Sequence, residues 1–227
     1  VVRGLYPSLD YIKKLKKLGI KTALYTTDDP YDYTMMLPIT EHYDYVFSND
    51  IIGEKLYKNC KHIPVACDTS IYYPISNAPY RYDITFIGTF FKERVEFFDS
   101  IYDYLKDKRT LFMGYWINKN LDNPISSFGS VDESPTLKLL GKYRDKDEKP
   151  STLNLLYNST LILPNPHRGK DWIGNNVFEA TNLNPRVFEI IASGGFQLVS
   201  NDREETLRKY FDKDEIISYS GASDFKD

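Results

Sequence analysis

Only two of the 227 residues are cysteine, Cys60 and Cys67, and they form no CxxC pair. Neither a disulfide framework nor a zinc site is expected, and both thiols read as reduced and structural. Excess positive charge is also missing. The 29 Lys and Arg face 32 Asp and Glu, for a formal net charge of −3, which argues against non-specific nucleic-acid binding, since that rests on cations facing phosphates. The one dense basic run, Lys13, Lys14, Lys16 and Lys17, reads as the solvated face of a helix. No apolar run approaches the ~20 residues needed to span a bilayer, and no signal peptide opens the chain, so a cytoplasmic protein is expected. Val1 is not an initiator, and both ends read as cut. The chain contains no GxGxxG and no GxxxxGK[ST], so it carries neither a dinucleotide fingerprint nor a P-loop. Asn158-Ser159-Thr160 matches a glycosylation acceptor, which has meaning only in a secreted protein.

What the chain does have is alternation of short β-rich runs with amphipathic helical stretches. Residues 8–18 place Leu9, Ile12, Leu15 and Leu18 on one helix face, ended by Gly19. Strands are expected at 20–25, 45–48 and 63–65, the last at an edge because Pro64 has no N–H to donate. A short helix is expected near 52–59. Residues 68–82 lack either period and carry Pro74, Asn77 and Pro79, marking a linker. A second series follows, with strands at 83–87, 110–113, 160–163, 196–200 and 215–219. Helices at 92–107, 152–158, 185–193 and 204–211 fall between them. Residues 114–150 are harder to read, with a candidate strand at 128–131 and a charged insertion at 142–149. Such alternation implies parallel sheets built from right-handed crossovers. Two doubly wound α/β units are expected, joined near residue 75: residues 1–75, incomplete, and 76–227, lacking its final helix.

In open parallel sheets ligands bind beyond the carboxyl ends of the strands. That singles out Asp28 and Asp29, Asn49 and Asp50, Gly88 and Thr89, Gly114, residues 165–168, and Asn201 and Asp202. The Gly88-Thr89 turn lets a diphosphate approach backbone N–H groups and the positive end of a helix, with Lys92 or Arg94 adding a charged contact. An ordinary strand–helix joint has the same appearance. In 182–195, Asn184 suits an N-cap and Pro185 the first helical turn. Arg186 and Glu189 then share a face, apart from apolar Val187, Ile190 and Ile191. A carboxylate held there suits a ribose diol, although a surface ion pair also fits. Gly194 and Gly195 supply a tight turn with room for a ligand, or simply a helix cap. His167 and Arg168, in a loop ending at Gly169, suit an anionic leaving group.

The run from Asn184 to Phe196 resembles the "RxFE…A-x-G-G" signature of group-1 glycosyltransferases, and most closely the branch typified by the spore-maturation protein CgeB. Thr27-Asp28-Asp29-Pro30, residues 45–50, residues 82–89 with Glu93-Arg94, and Asp68 with Tyr72-Tyr73-Pro74 agree in order and spacing. The resemblance implies a GT-B fold: two Rossmann-like domains facing across a cleft, with a nucleotide diphosphate sugar held mainly by the C-terminal one. It implies that Glu189 binds the ribose hydroxyls and that Gly88 and Thr89 lie beside the diphosphate, together with Arg94. His167 and Arg168 would line the donor pocket, supported by Asn184 and Arg186. Glu179 and Glu189 have nine intervening residues rather than the group's seven, so Glu179 is given no sugar-contacting role.

The expected reaction is glycosyl transfer to an unidentified glycan, protein or small-molecule acceptor. It would use no cofactor beyond the donor and no metal. The Asp-x-Asp pairs Asp145/Asp147 and Asp212/Asp214 sit in charged stretches rather than after apolar strands. Asp28 and Asp29 are candidates for a general base. The alternatives are a catalytically silent nucleotide- or carbohydrate-binding module, which the 19 Tyr and 13 Phe would suit, and a receiver-like domain using Asp28 and Asp29.

Overall fold

Apolar residues recur at two periods along this chain, and the order in which those periods alternate sets the topology. The computed structural model describes residues 8–115, 134–139, 141–143, 148–169 and 178–227. The chain divides into two units, Val1–Val65 with Gly169–Asn182, and Ala66–Arg168 with Leu183–Asp227.

In the first unit, α1 (Leu9–Lys17) is capped by Ser8, whose hydroxyl accepts the Tyr11 N–H. Then come β1 (Ala23–Thr26), α2 (Tyr33–Thr40), β2 (Tyr45–Ser48), α3 (Gly53–Leu56) and β3 (Cys60–His62). The strands pair in parallel in the order β1-β2-β3. Ile12, Leu24, Met36, Val46 and Tyr57 form the core. Leu18, expected on the buried face, is 75% exposed because the helix has ended at Lys17. The third strand lies at 60–62, not 63–65. The Ile63 N–H still donates to the Ser48 carbonyl, but Pro64 has no N–H with which to continue the ladder.

The second unit runs β4 (Tyr82–Ile87), α4 (Lys92–Ser100), α5 (Tyr102–Leu105), β5 (Thr110–Gly114), α6 (Pro135–Leu139), β6 (Gly141–Tyr143) and α7 (Pro150–Asn158). It continues through β7 (Thr160–Asn165), α8 (Pro185–Ala192), β8 (Gln197–Ser200), α9 (Glu204–Leu207), β9 (Ile217–Tyr219) and α10 (Ala222–Lys226). Its six strands are parallel, in the order β6-β5-β4-β7-β8-β9. Winding starts at β4, proceeds outward through β5 and β6, then resumes at β7 on β4's other side. The switch point therefore lies between β4 and β7. Alternation along β4 sends Ile84 and Phe86 into one core with Phe98, Phe112 and Phe225. It sends Ile87 to the other face with Tyr157, Leu163 and Ile190. Ring contacts such as Phe86–Phe98 at 4.9 Å and Phe98–Phe112 at 4.8 Å account for many phenylalanines as packing.

Several boundaries differ from the sequence reading. Residues 92–107 form two helices, broken at Ile101, which is fully buried. A strand, β6, forms inside the charged stretch, and a short α10 closes β9, burying Phe225 against Phe97 and Tyr219. The second unit starts at Ala66 because Cys67, Ile71 and Tyr72 pack with Ile87 and Tyr157. Segment Gly169–Asn182 returns to the first unit, where Asp50 accepts both the Thr181 N–H (2.7 Å) and the Asn182 N–H (2.8 Å). The Phe178 ring meets Tyr33 edge-on. The strand expected at 128–131 and the Asp145/Asp147 pair lie outside the described residues.

Candidate functional site

The carboxyl ends of β4, β7 and β8 and the start of α8 meet at the switch point, and there the second unit gathers its cations. After Ile87 the chain turns through Gly88 and Thr89. Arg94, on the first turns of α4, folds back beneath that turn. Its Nη1 donates to the Thr89 carbonyl at 2.9 Å and its Nε to the Pro166 carbonyl at 3.2 Å. Its guanidinium lies over the Phe86 and Phe91 rings. Arg94 thus ties the loop after β4 to the loop after β7 and brings a buried positive charge between them.

Arg186 approaches from α8. Its Nη1 donates to Asn165 Oδ1 at 3.1 Å, and its guanidinium lies 5.0 Å above the Phe86 ring. It also abuts Gly88, where an ideal Cβ would fall 2.5 Å from Nη2. The Arg168 guanidinium lies 4.3 Å from the Phe91 ring centre, and the Arg168 carbonyl accepts from Arg203.

His167 is buried among these cations. Its backbone N–H donates to Ser200 Oγ at 2.9 Å, and the same oxygen lies 3.2 Å from its Nδ1. Ser200 Oγ can donate to Nδ1 or accept from it, so this contact serves either neutral tautomer. That Nε2 is buried and has no partner among the described residues. Burial holds the imidazole well below its usual pKa, reinforced by Arg203, Arg94 and Arg186. The ring is neutral, with an unused ring nitrogen beside several guanidinium groups. Such a place favours an anion.

Asn184 is the N-cap of α8, and its side-chain N–H donates to Asn165 Oδ1 at 2.9 Å. Its own Oδ1 is buried without a partner among the described residues. Glu189 lies about one turn further along α8 and faces two tyrosines rather than bulk water. Tyr157 donates to its carboxylate at 3.3 Å, and the Tyr72 hydroxyl lies beside it. Burial raises its pKa, opposed by Arg186 and by the two hydroxyls. Donation from Tyr157 leaves lone pairs open on the carboxylate.

Gly194 and Gly195 stand apart from this group. They follow the far end of α8 and precede β8, at the amino edge of the sheet. Gly194 has φ +72°, the left-handed stop of a helix. A Cβ on Gly195 would fall 2.9 Å from Leu163 and 3.0 Å from Ile190, so close packing accounts for it.

The first unit treats its candidates differently. Asp29 is buried, and its carboxylate accepts from Thr26, from Ser48 at 2.6 Å and from Tyr57 at 2.5 Å. Its N–H donates to Asn49 Oδ1. Burial raises its pKa against the three hydroxyls. Both oxygens are engaged in joining the ends of β1 and β2 to α3. Asp28 is half-buried, and its carbonyl accepts the Tyr31 N–H.

The sequence reading gave no specific role to Asn165, Gln197, Ser200, Tyr72 or Tyr157. Gln197 did carry a signal, as an amide inside an apolar strand. The others carried only position, at strand ends, in a helix or in the linker.

Two parallel α/β units, one with a cationic switch point, define the GT-B glycosyltransferase fold. The T4 phage BGT structure in complex with UDP and Mn2+ shares it over 99% of this chain and 69% of that one, at 14% identity and a TM-score of 0.51. The Glycosyl transferase-like family matches residues 109–227, more than half of the chain. The chain belongs to that family. Slighter similarity extends to the C-terminal domain of a group 1 family glycosyl transferase (LpcC) from Francisella tularensis. There the identity is 14%, coverage 71% of this chain and 83% of that one, and the TM-score 0.42. For a trehalose-phosphate synthase (UDP-forming) from Burkholderia vietnamiensis the values are 11%, 87% and 56%, and 0.46, so this chain spans little more than half of that one. No curated protein matches the chain in sequence.

Proposed function

We propose that the protein transfers a glycosyl group from a nucleotide diphosphate sugar to an acceptor, and that the second unit holds the donor at the β4/β7 switch point. The observation that carries this reading is the Arg186 guanidinium lying against the Gly88 turn, flanked by buried Arg94 and by the Nε2 of neutral His167, which has no partner among the described residues. Departure of a nucleoside diphosphate develops negative charge. Donors fixed in advance in a water-poor site stabilise that charge without reorganising. In this reading Gly88 and Thr89 present backbone to the diphosphate, Arg186 and His167 Nε2 contact its oxygens, and Arg168 borders the pocket. Glu189 accepts from the ribose diol, and holding donor and acceptor together removes much of the entropic barrier. A UDP complex of the T4 phage relative agrees with this donor class.

Leaving-group charge met by guanidinium groups requires neither a metal nor another cofactor. Turnover is therefore expected to survive EDTA. The CgeB-like branch and a cytoplasmic location are part of the same reading. Among the described residues no helix is long and apolar enough to cross a membrane. The burial of Asp29 beneath three hydroxyl donors favours a second reading, a binding module without its own base. Incubating the protein with UDP-, GDP- and TDP-sugars and measuring nucleoside diphosphate release separates the two. Release supports the transferase, and tight binding without release under all acceptors tried supports the module.

A further inference from the structure

A chain of side-chain amides runs beneath the switch point, and its direction is fixed at both ends. Arg186 only donates, so Asn165 must turn its Oδ1 toward it, at 3.1 Å, and the same oxygen takes the Asn184 N–H at 2.9 Å. The Asn165 Nδ2 must then face Gln197 Oε1, at 3.0 Å. The Gln197 Nε2 faces the Val187 carbonyl, which only accepts, at 2.8 Å. Asn165 is fully buried and Gln197 nearly so. Every link agrees with its neighbours, so neither amide is free to turn over without stranding a buried partner. The chain joins the carboxyl end of β7 and the first residue of β8 to the first turn of α8 and terminates at the guanidinium beside Gly88.

We propose that Asn165 is a positioning residue for Arg186: its Oδ1 holds that guanidinium against the Gly88 turn, and the amide chain through Gln197 fixes the orientation of that oxygen. The inference rests on the donor-site reading above. Asn165 touches no substrate in it; the residue sets where the positive charge stands. Losing the acceptor releases a long, flexible side chain from its place at the edge of the sheet. Affinity for a diphosphate then falls without any change in the net charge of the site.

Inorganic pyrophosphate serves as the probe, since it carries the diphosphate without committing to a base. Its affinity is measured calorimetrically for the purified protein, Asn165→Leu, Arg186→Ala and the double variant. Arg186→Ala is expected to weaken binding about tenfold or more, as loss of a charge-assisted contact does. Asn165→Leu alone is expected to lose most of that factor, and in the Arg186→Ala background to add little, the mark of two residues acting as one. Full affinity in Asn165→Leu beside a loss in Arg186→Ala overturns the positioning role and leaves the donor site standing. Equal losses from Asn165→Leu with and without Arg186 also overturn it, because the effect is then general packing. Unchanged affinity in Arg186→Ala removes the donor-site reading itself. Should Asn165→Leu fail to fold, Gln197→Met leaves Asn165 in place but removes the acceptor that orients it, together with the donor to the Val187 carbonyl. It must then weaken pyrophosphate binding, again only when Arg186 is present.

Discussion

The guanidinium of Arg186 fills the space in which any side chain at Gly88 would begin: a Cβ there would stand 2.5 Å from Nη2. Glycine is needed at this turn to admit a neighbour. The cation that enters has come from a helix nearly a hundred residues later in the chain.

Gly88→Ala therefore has a selective consequence. The methyl must displace the end of a side chain at a residue with φ +158°, so the stability cost should be about 1–3 kcal/mol. Nucleoside diphosphate affinity should fall about tenfold, equivalent to about 1.4 kcal/mol. Calorimetric titration with UDP, GDP and TDP, beside a thermal melt, reports both. Undiminished affinity would show that the turn lies outside the donor site.

At Asp29 stability should suffer first. Asp29→Ala takes the acceptor from the buried Tyr57 hydroxyl and leaves Thr26 and Ser48 only the Phe47 and Asp50 carbonyls, a loss of about 1–3 kcal/mol by the usual cost of an unsatisfied buried group. Urea denaturation measures it. Asp29→Asn keeps an acceptor and should retain turnover per folded molecule. A large fall in kcat with normal stability would return Asp29 to the catalytic candidates.

His167 ties stability to pH. Its folded-state pKa lies well below the ordinary histidine value of about 6.5, so the unfolded chain binds a proton first as pH falls. The neutral ring's contribution is complete above about pH 6.5 and is lost as pH drops below it, at up to about 1.4 kcal/mol per pH unit. His167→Gln should flatten the unfolding free energy between pH 6.5 and 5.5. Parallel curves for the two proteins would contradict the buried, neutral assignment.

Glu189 invites a test with the sugar of the nucleotide. Hydrogen bonds to a charged group contribute about 1.5–3 kcal/mol, so Glu189→Gln should weaken ribonucleotides by roughly ten- to a hundredfold. The 2′-deoxy counterparts should lose much less. An equal loss for both sugars would assign Glu189 to holding Tyr72 and Tyr157 instead.

Much of the scaffold was legible because it depends on local pattern. Residues 45–48 and 83–87 are short, β-rich and bounded by polar turns, and both became strands almost as bounded. Asn184-Pro185 marked the start of α8, since cap and first-turn preferences act within a few residues. The failures were tertiary overrides. Ile101 breaks a helix that periodicity would continue, and β6 forms in a charged stretch because β5 offers it a free edge. The return of Gly169–Asn182 to the first unit rests on Asp50, 131 residues before Thr181. No linker composition announces that pairing.

The sequence by itself determined parallel strands alternating with helices, and it placed Gly88, His167, Arg186 and Glu189 near strand ends or on one helix, since burial periodicity and capping are properties of neighbours. Only the tertiary structure decided that Arg94 is bound to backbone, that Arg186 stands on Gly88, that Asp29 is closed in by hydroxyls and that Gly194 and Gly195 lie at the opposite edge. Those outcomes depend on contacts such as Arg94 to Pro166, 72 residues apart. The partner of a polar group is chosen by which elements the folded core brings together, and that choice is not written in any local run of residues.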